Sequence, residues 1–219
     1  MITDRAPSPP ATDALPRRPL PIIRANLRVT LIANAVTYGL FLVGFALGLL
    51  FPELTRAQAA GLEQDGTGEL VRSLISSPWL FALTILGVNV LRLSLATIVL
   101  PSMIVPFAGI ALFLWWVLTT GITLVPGVEI GWVALIPHSL TVVIELQAYI
   151  LLALGAYLLG RSWLLPSTVG AHNRRQGYLR GLGQLGWLSL PALALLVVGA
   201  IWEAFSLAYL VHPLATWLL

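Results

Sequence analysis

Apolar and polar positions alternate in long blocks along this chain, and five apolar blocks stand out, at 29–51, 79–100, 104–124, 136–159 and 187–211. Each is close to the ~20 residues that a helix needs to cross a hydrocarbon core of ~30 Å. Lipid admits only helices and closed barrels, because every backbone polar group there must be satisfied internally. None of the blocks shows the residue-by-residue alternation of a barrel strand. The pattern therefore predicts an all-α fold, a polytopic transmembrane bundle of five spans occupying 29–211. The first block exceeds the ~7–15 residues of a signal-peptide core, so it reads as a retained span.

The segments between the blocks have their own patterns. Residues 1–28 form an arm whose first 21 positions hold six prolines, Pro7, Pro9, Pro10, Pro16, Pro19 and Pro21. With few large apolar side chains, 1–21 is expected to be disordered or PPII-like. In 52–78, Leu54, Ala57, Ala60 and Leu62 precede Leu70, Leu74 and Ile75. That spacing predicts two short amphipathic helices on the outer surface, broken at 65–68. The basic loop 160–186 mixes arginines with Tyr178, Leu179, Leu182 and Leu185, which predicts an interfacial helix over 174–185. Residues 212–219 read as a short outer tail. No internal repeat is visible, so an inverted-repeat transporter gains no support.

Composition sharpens the membrane reading. Apolar residues make up 58% and charged residues 10%, against ~45–50% and ~25% in soluble chains. All twelve basic residues are arginines. Arg5, Arg17, Arg18, Arg24 and Arg28 lie in the arm, and Arg161, Arg174, Arg175 and Arg180 follow the fourth block. Five spans put those two segments on one side, and put Glu53, Glu63, Asp65, Glu69 and Glu129 on the other. Arginine-rich segments stay in the cytoplasm, so the amino terminus is expected inside and the carboxyl terminus outside. In a soluble chain the net charge of +3 would suggest nucleic acid. Beside membrane spans the same arginines point to the lipid bilayer, and no nucleic acid partner is expected.

Candidate chemistry is sparse. There is no cysteine, which removes disulfides, thiolate metal sites and cysteine nucleophiles. Gly181, Gly183 and Gly186 match a dinucleotide-binding string, but without the strand-turn-helix context that gives it meaning. HExxH, GxSxG and P-loop patterns are missing, so no metal, cofactor or enzymatic activity is expected. His138 and Ser139 are adjacent, and adjacent helical residues point ~100° apart, so their spacing forms no dyad.

Polar residues inside the spans are the stronger signal. At ~1.5 Å per residue, Asn89 and Arg92 fall roughly 15 and 20 Å below the outer boundary, with Glu145 and Glu203 at about 13 and 10 Å. Charge facing lipid at such depth costs at least ~2.5–3.5 kcal/mol on insertion scales, so Asn89, Arg92, Glu145 and Glu203 are expected to face one another, with Arg92 bridging to a carboxyl. His138 lies seven residues before Glu145, two turns away on the same helix face. Such a cluster serves as a packing clamp, as part of a solute or proton path, or as a contact for another protein's span. Ala35, Gly39, Gly44 and Gly48 suggest a small-residue stripe for close helix packing, within the chain or with a second protomer.

Several of these residues carry a family resemblance. Ile136-Pro137-His138-Ser139, then Ile144-Glu145-Leu146-Gln147-Ala148-Tyr149 and the glycine-ended helix 152–160, resemble the signature of the stage II sporulation protein M family. Asn89 with Arg92 is similar to that family's asparagine-containing helix, and Ala200-Ile201-Trp202-Glu203-Ala204-Phe205 to its terminal motif. Ser139 stands where the family has glycine, Gln147 where it has proline, and His138 lies three residues farther from the glutamate. The resemblance spans 29–210. It implies a non-enzymatic assembly or anchoring subunit of a bacterial cell-envelope complex, in the cytoplasmic membrane, with membrane or envelope proteins as partners or a second copy of the chain. A transporter or permease subunit using Arg92, Glu145 and Glu203 is the alternative.

Overall fold

A computed structural model describes residues 18–64 and 66–219. Among them every regular element is helical: α1 (Pro19–Ala25), α2 (Leu27–Leu50), α3 (Pro52–Gln64), α4 (Thr67–Leu74), α5 (Pro78–Ile104), α6 (Ala108–Thr123), α7 (Glu129–Leu164), α8 (Arg174–Tyr209) and α9 (Val211–Leu218), with a 3-10 turn at Pro166–Val169. The bundle wears its apolar residues outside. Leu31, Leu42, Leu83, Leu91, Trp115 and Val198 are all exposed, as helices surrounded by hydrocarbon require. The molecule is a multi-pass helical membrane protein.

Four helices, not five, are long and apolar enough to cross a membrane: α2, α5, α7 and α8. The third block, expected to span over 104–124, keeps only the 16 helical residues of α6, about 24 Å of helix. Its start is consumed by a turn at 105–107, where Phe107 adopts a left-handed backbone with φ 68°. That conformation is costly for a residue with a side chain. The Phe107 ring lies tilted against Tyr157, centroids 6.1 Å apart, and occupies the space a side chain on Gly160 would take.

The helices alternate in direction. α2 and α6 run parallel, with Gly44 against the Leu118 backbone and Gly48 against Ile122 and Val125. α7 runs opposite to α2, since Tyr38 meets Val143 and Asn34, earlier in α2, meets Gln147, later in α7. α7 and α8 form a long antiparallel hairpin: Gly177 and Gly181 seat on Ser162 and Leu159, Gly155 on Leu185, and Gly199 on Glu145. The core lies where α5, α6, α7 and α8 meet, around Ile98, Phe113, Val117, Tyr149, Leu152 and Leu196.

Three expected boundaries change. Residues 1–17 of the arm lie outside the described part, but 19–25 is helical. Pro19 and Pro21 occupy the first turn, where a missing N–H costs little, and Ile22 is buried against Leu154, Leu158 and Leu188. The interfacial helix expected over 174–185 is instead the first part of α8, which continues unbroken for 36 residues. Its glycines are tolerated because Gly177 and Gly181 let α8 approach α7 closely. The tail at 212–219 belongs to helix α9.

Candidate functional site

The sequence expected Asn89, Arg92, Glu145 and Glu203 to converge. Three of them do. Asn89 donates from its side-chain amide to Glu145 Oε1, and Glu203 Oε1 lies 3.6 Å from His138 Nδ1. All of these residues line one cavity of about 280 Å³. His138 pairs with Glu203 across the hairpin, although it shares a helix face with Glu145.

Arg92 is the exception: it is exposed, and no ion pair joins it to either carboxyl. The reason is local winding. Residues Asn89–Val99 of α5 form a π-helix, in which the Ser94 hydroxyl donates to the Asn89 carbonyl at 2.8 Å and the Thr97 hydroxyl to the Arg92 carbonyl at 2.9 Å. A turn closed five residues back is wider than an α-turn, so each residue advances by a smaller angle. Three residues after Asn89 the chain has not returned to the Asn89 face, and Arg92 points away from the cluster.

α7 supplies most of the site. His138, Thr141, Glu145 and Tyr149 recur at intervals of three or four, which stacks them on one side of the helix. Opposite them, α8 offers Glu203, with Gly199 leaving room for the Glu145 stem. Trp202 fixes the hairpin's register by donating its indole N–H to the Pro137 carbonyl at 2.9 Å. Thr141 and Tyr149 are fully buried, and neither hydroxyl has a hydrogen-bond partner. The cavity walls are apolar, from Phe41, Phe81, Ile85, Trp116, Val142 and Leu146, while Leu70 and Leu74 of α4 lie at its other margin. Toward the arginine-bearing end the space is closed by Phe113, Val117, Tyr149, Leu152, Ala192 and Leu196, all buried. Chemically the cavity offers two carboxyls, an amide and an imidazole inside an apolar shell; Thr141 and Tyr149 share the α7 face but do not line it. Ser139 takes no part, since it is exposed and donates to the Ile136 carbonyl at 2.7 Å.

A second polar contact was not foreseen. The Gln147 side-chain amide donates to Asn34 Oδ1 at 2.7 Å and to the Tyr38 hydroxyl at 3.0 Å, tying α7 to α2. Asn34 and Tyr38 lie four residues apart within an apolar block, which is the signal that could have revealed them.

The small-residue stripe divides. Gly44 and Gly48 are buried in contact with α6, whereas Ala35 and Gly39 are exposed and a side chain on Gly39 would meet nothing within 4 Å. From Gly39 to Gly44 is five residues, about 140° around an α-helix, so the two pairs cannot share a face.

The basic residues gather at one end. Arg161, Arg174, Arg175 and Arg180 are exposed there. Arg180 donates to the Val169 carbonyl. Asn173 caps α8 by accepting from Gln176 N at 2.9 Å, and Gln176 returns an acceptor to His172 N at 3.1 Å. The loop joining α7 to α8 is thus fastened to α8 itself. Packing of α1 on the same end brings Arg18 and Arg24 to it. No family model, curated protein or solved structure matches the chain.

Proposed function

We propose that this protein is a non-enzymatic assembly or anchoring subunit of a bacterial cell-envelope complex in the cytoplasmic membrane. The observation that carries this reading is the closed core beneath the cavity: Phe113, Val117, Leu152 and Leu196 fill the path between the polar cluster and the arginine-bearing end. A proton or ion route needs polar groups or water at successive depths; these four buried side chains carry no polar atom, and Ser94, Ser102 and Gln184, buried on that side, are not titratable. The resemblance to the stage II sporulation protein M family favours the same role.

Five crossings fit the packing. α6 is short, but it runs beside α2, from Ile110 near Val29 and Ile32 to Ile122 beside Gly48. Its turns at 105–107 and 124–126 extend it, and modest local thinning of the bilayer accommodates the remainder. With α6 as a crossing, Arg18, Arg24, Arg161, Arg174, Arg175 and Arg180 lie in the cytoplasm, and Glu53, Glu69 and Glu129 outside.

Partner proteins engage the cytoplasmic arginine surface. α7 and α8, each 36 residues long, measure about 54 Å against a core of ~30 Å, so their packed ends project as a rigid stem. The experiment is crosslinking and purification from native membranes. A partner should accompany the wild type in fixed stoichiometry and be lost from Arg174→Gln/Arg175→Gln/Arg180→Gln, but not from Glu145→Gln. Partner retention by the triple variant would contradict this surface.

The transporter reading keeps one observation in its favour, the acidic cavity. It requires that cavity to open at the other end.

A further inference from the structure

Near the middle of α5 a full charge faces the lipid. Arg92 is exposed, and among the described residues it makes no ion pair and no side-chain hydrogen bond. Its guanidinium stays charged at any ordinary pH and carries five N–H donors. Ionisable groups inside a membrane almost always face protein or a water-filled cavity, because hydrocarbon satisfies none of their donors. The π-winding of Asn89–Val99 turns Leu91 and Arg92 outward while Leu93 and Ser94 stay buried. Such windings are frequent at functional positions.

Lipid headgroups are poorly placed to supply the missing acceptor. α5 runs for 27 residues, from Pro78 to Ile104, and Arg92 lies about 20 Å below the boundary near Pro78. In a core of ~30 Å that leaves ~10 Å to the boundary near Ile104. Helical side chains lean toward the amino-terminal end of their helix, so Arg92 leans away from the nearer boundary.

A second copy of the chain does not supply the acceptor either. Its membrane-embedded carboxyls, Glu145 and Glu203, line the interior cavity. Glu53, Glu69 and Glu129 lie outside the apolar blocks. Two copies meeting through α5 would set arginine against arginine.

The surroundings of Arg92 fit a helix. Leu80, Leu83, Val88, Leu91 and Leu95 are exposed along α5, and a side chain on Gly87 would meet nothing within 4 Å. A glycine left open in this way lets a neighbouring backbone approach closely. The face is apolar along its length, with a single cation near its middle.

We infer that the lipid-facing side of α5 docks a membrane-spanning helix of another protein, one that carries a carboxylate at the depth of Arg92. This rests on the assembly reading, and adds a contact inside the membrane to the cytoplasmic one.

The test uses a defined helix, a membrane-spanning leucine–alanine peptide with one central glutamate and an acceptor dye. The full chain carries a donor dye on Val105→Cys, exposed beside the end of α5, in zwitterionic vesicles at alkaline pH. Energy transfer is compared with peptides that have a central glutamine, or the glutamate moved into the opposite leaflet. The central-glutamate peptide is expected to associate at least tenfold more tightly than either. Arg92→Leu should reduce it to the level of the glutamine peptide, whereas Arg174→Gln/Arg175→Gln/Arg180→Gln should bind it like the wild type. Equal transfer to the glutamate and glutamine peptides from the wild type would overturn the proposal, whatever the variants do. So would a preference for glutamate retained in Arg92→Leu. No native partner takes part in this assay, so either result leaves the assembly reading to the purification from native membranes, which tests it separately.

Discussion

Asn89 and Arg92 sit three positions apart on α5 yet meet different surroundings, one on Glu145 and the other exposed. Replacing each by leucine should therefore have opposite effects. Arg92→Leu removes a charge that faces outward from a membrane helix and should leave the thermal midpoint in detergent unchanged or raised. Asn89→Leu strips the Glu145 carboxyl of its donor and should cost ~1–3 kcal/mol, the usual penalty for an orphaned buried group. A large loss from Arg92→Leu would mean that the arginine has a partner in the folded protein. Gln147→Leu deletes the link to Asn34 and Tyr38. A side-chain hydrogen bond between membrane helices contributes ~0.6 kcal/mol on average and up to ~1.7. A fall of that size in unfolding free energy is expected, and no change would mean that α2 and α7 are held by packing alone.

At the scale of whole helices, Gly44 and Gly39 make a matched pair within α2. Gly44 is buried against the α6 backbone, whereas Gly39 faces open space. Gly44→Leu should destabilise by at least the ~1–3 kcal/mol typical of overpacking, seen as a lower melting midpoint in detergent. Gly39→Leu should melt like the wild type. Equal effects would mean that Gly39 packs on something as well. These elements also show what the sequence could tell. Apolar block length located α2, α5, α7 and α8, because lipid forces a continuous run of helix. It overestimated α6, because a run of apolar letters does not reveal the left-handed turn at Phe107. The convergence of Asn89, Glu145 and Glu203 was legible from depth, and the shared face of His138 and Glu145 from their seven-residue spacing. The turning away of Arg92 was not, since π-winding over Asn89–Val99 changes the angle per residue without altering composition. Thr141 and Tyr149 were missed for a related reason: a hydroxyl in an apolar helix usually bonds its own backbone, and only the fold shows that these two do not.

For the whole molecule, the number of crossings and their direction follow from whether α6 traverses the bilayer. The chain has no cysteine, so single cysteines can be introduced on either side of α6. Val105 and Gly127 are exposed and flank it. A membrane-impermeant maleimide applied to intact cells should label Gly127→Cys, and should reach Val105→Cys only after permeabilisation. Labelling of neither from outside, with both reached only after permeabilisation, would make α6 a re-entrant helix and leave four crossings. The central proposal is a sealed bundle that organises partners and passes nothing across the membrane. Its most direct test is flux through purified protein in liposomes, with proton and monovalent-ion gradients applied in both directions. Rates equal to those of empty vesicles are expected, for the wild type and for Glu145→Gln alike. Robust flux that disappears in Glu145→Gln would contradict the sealed core and make the acidic cavity part of a transport path.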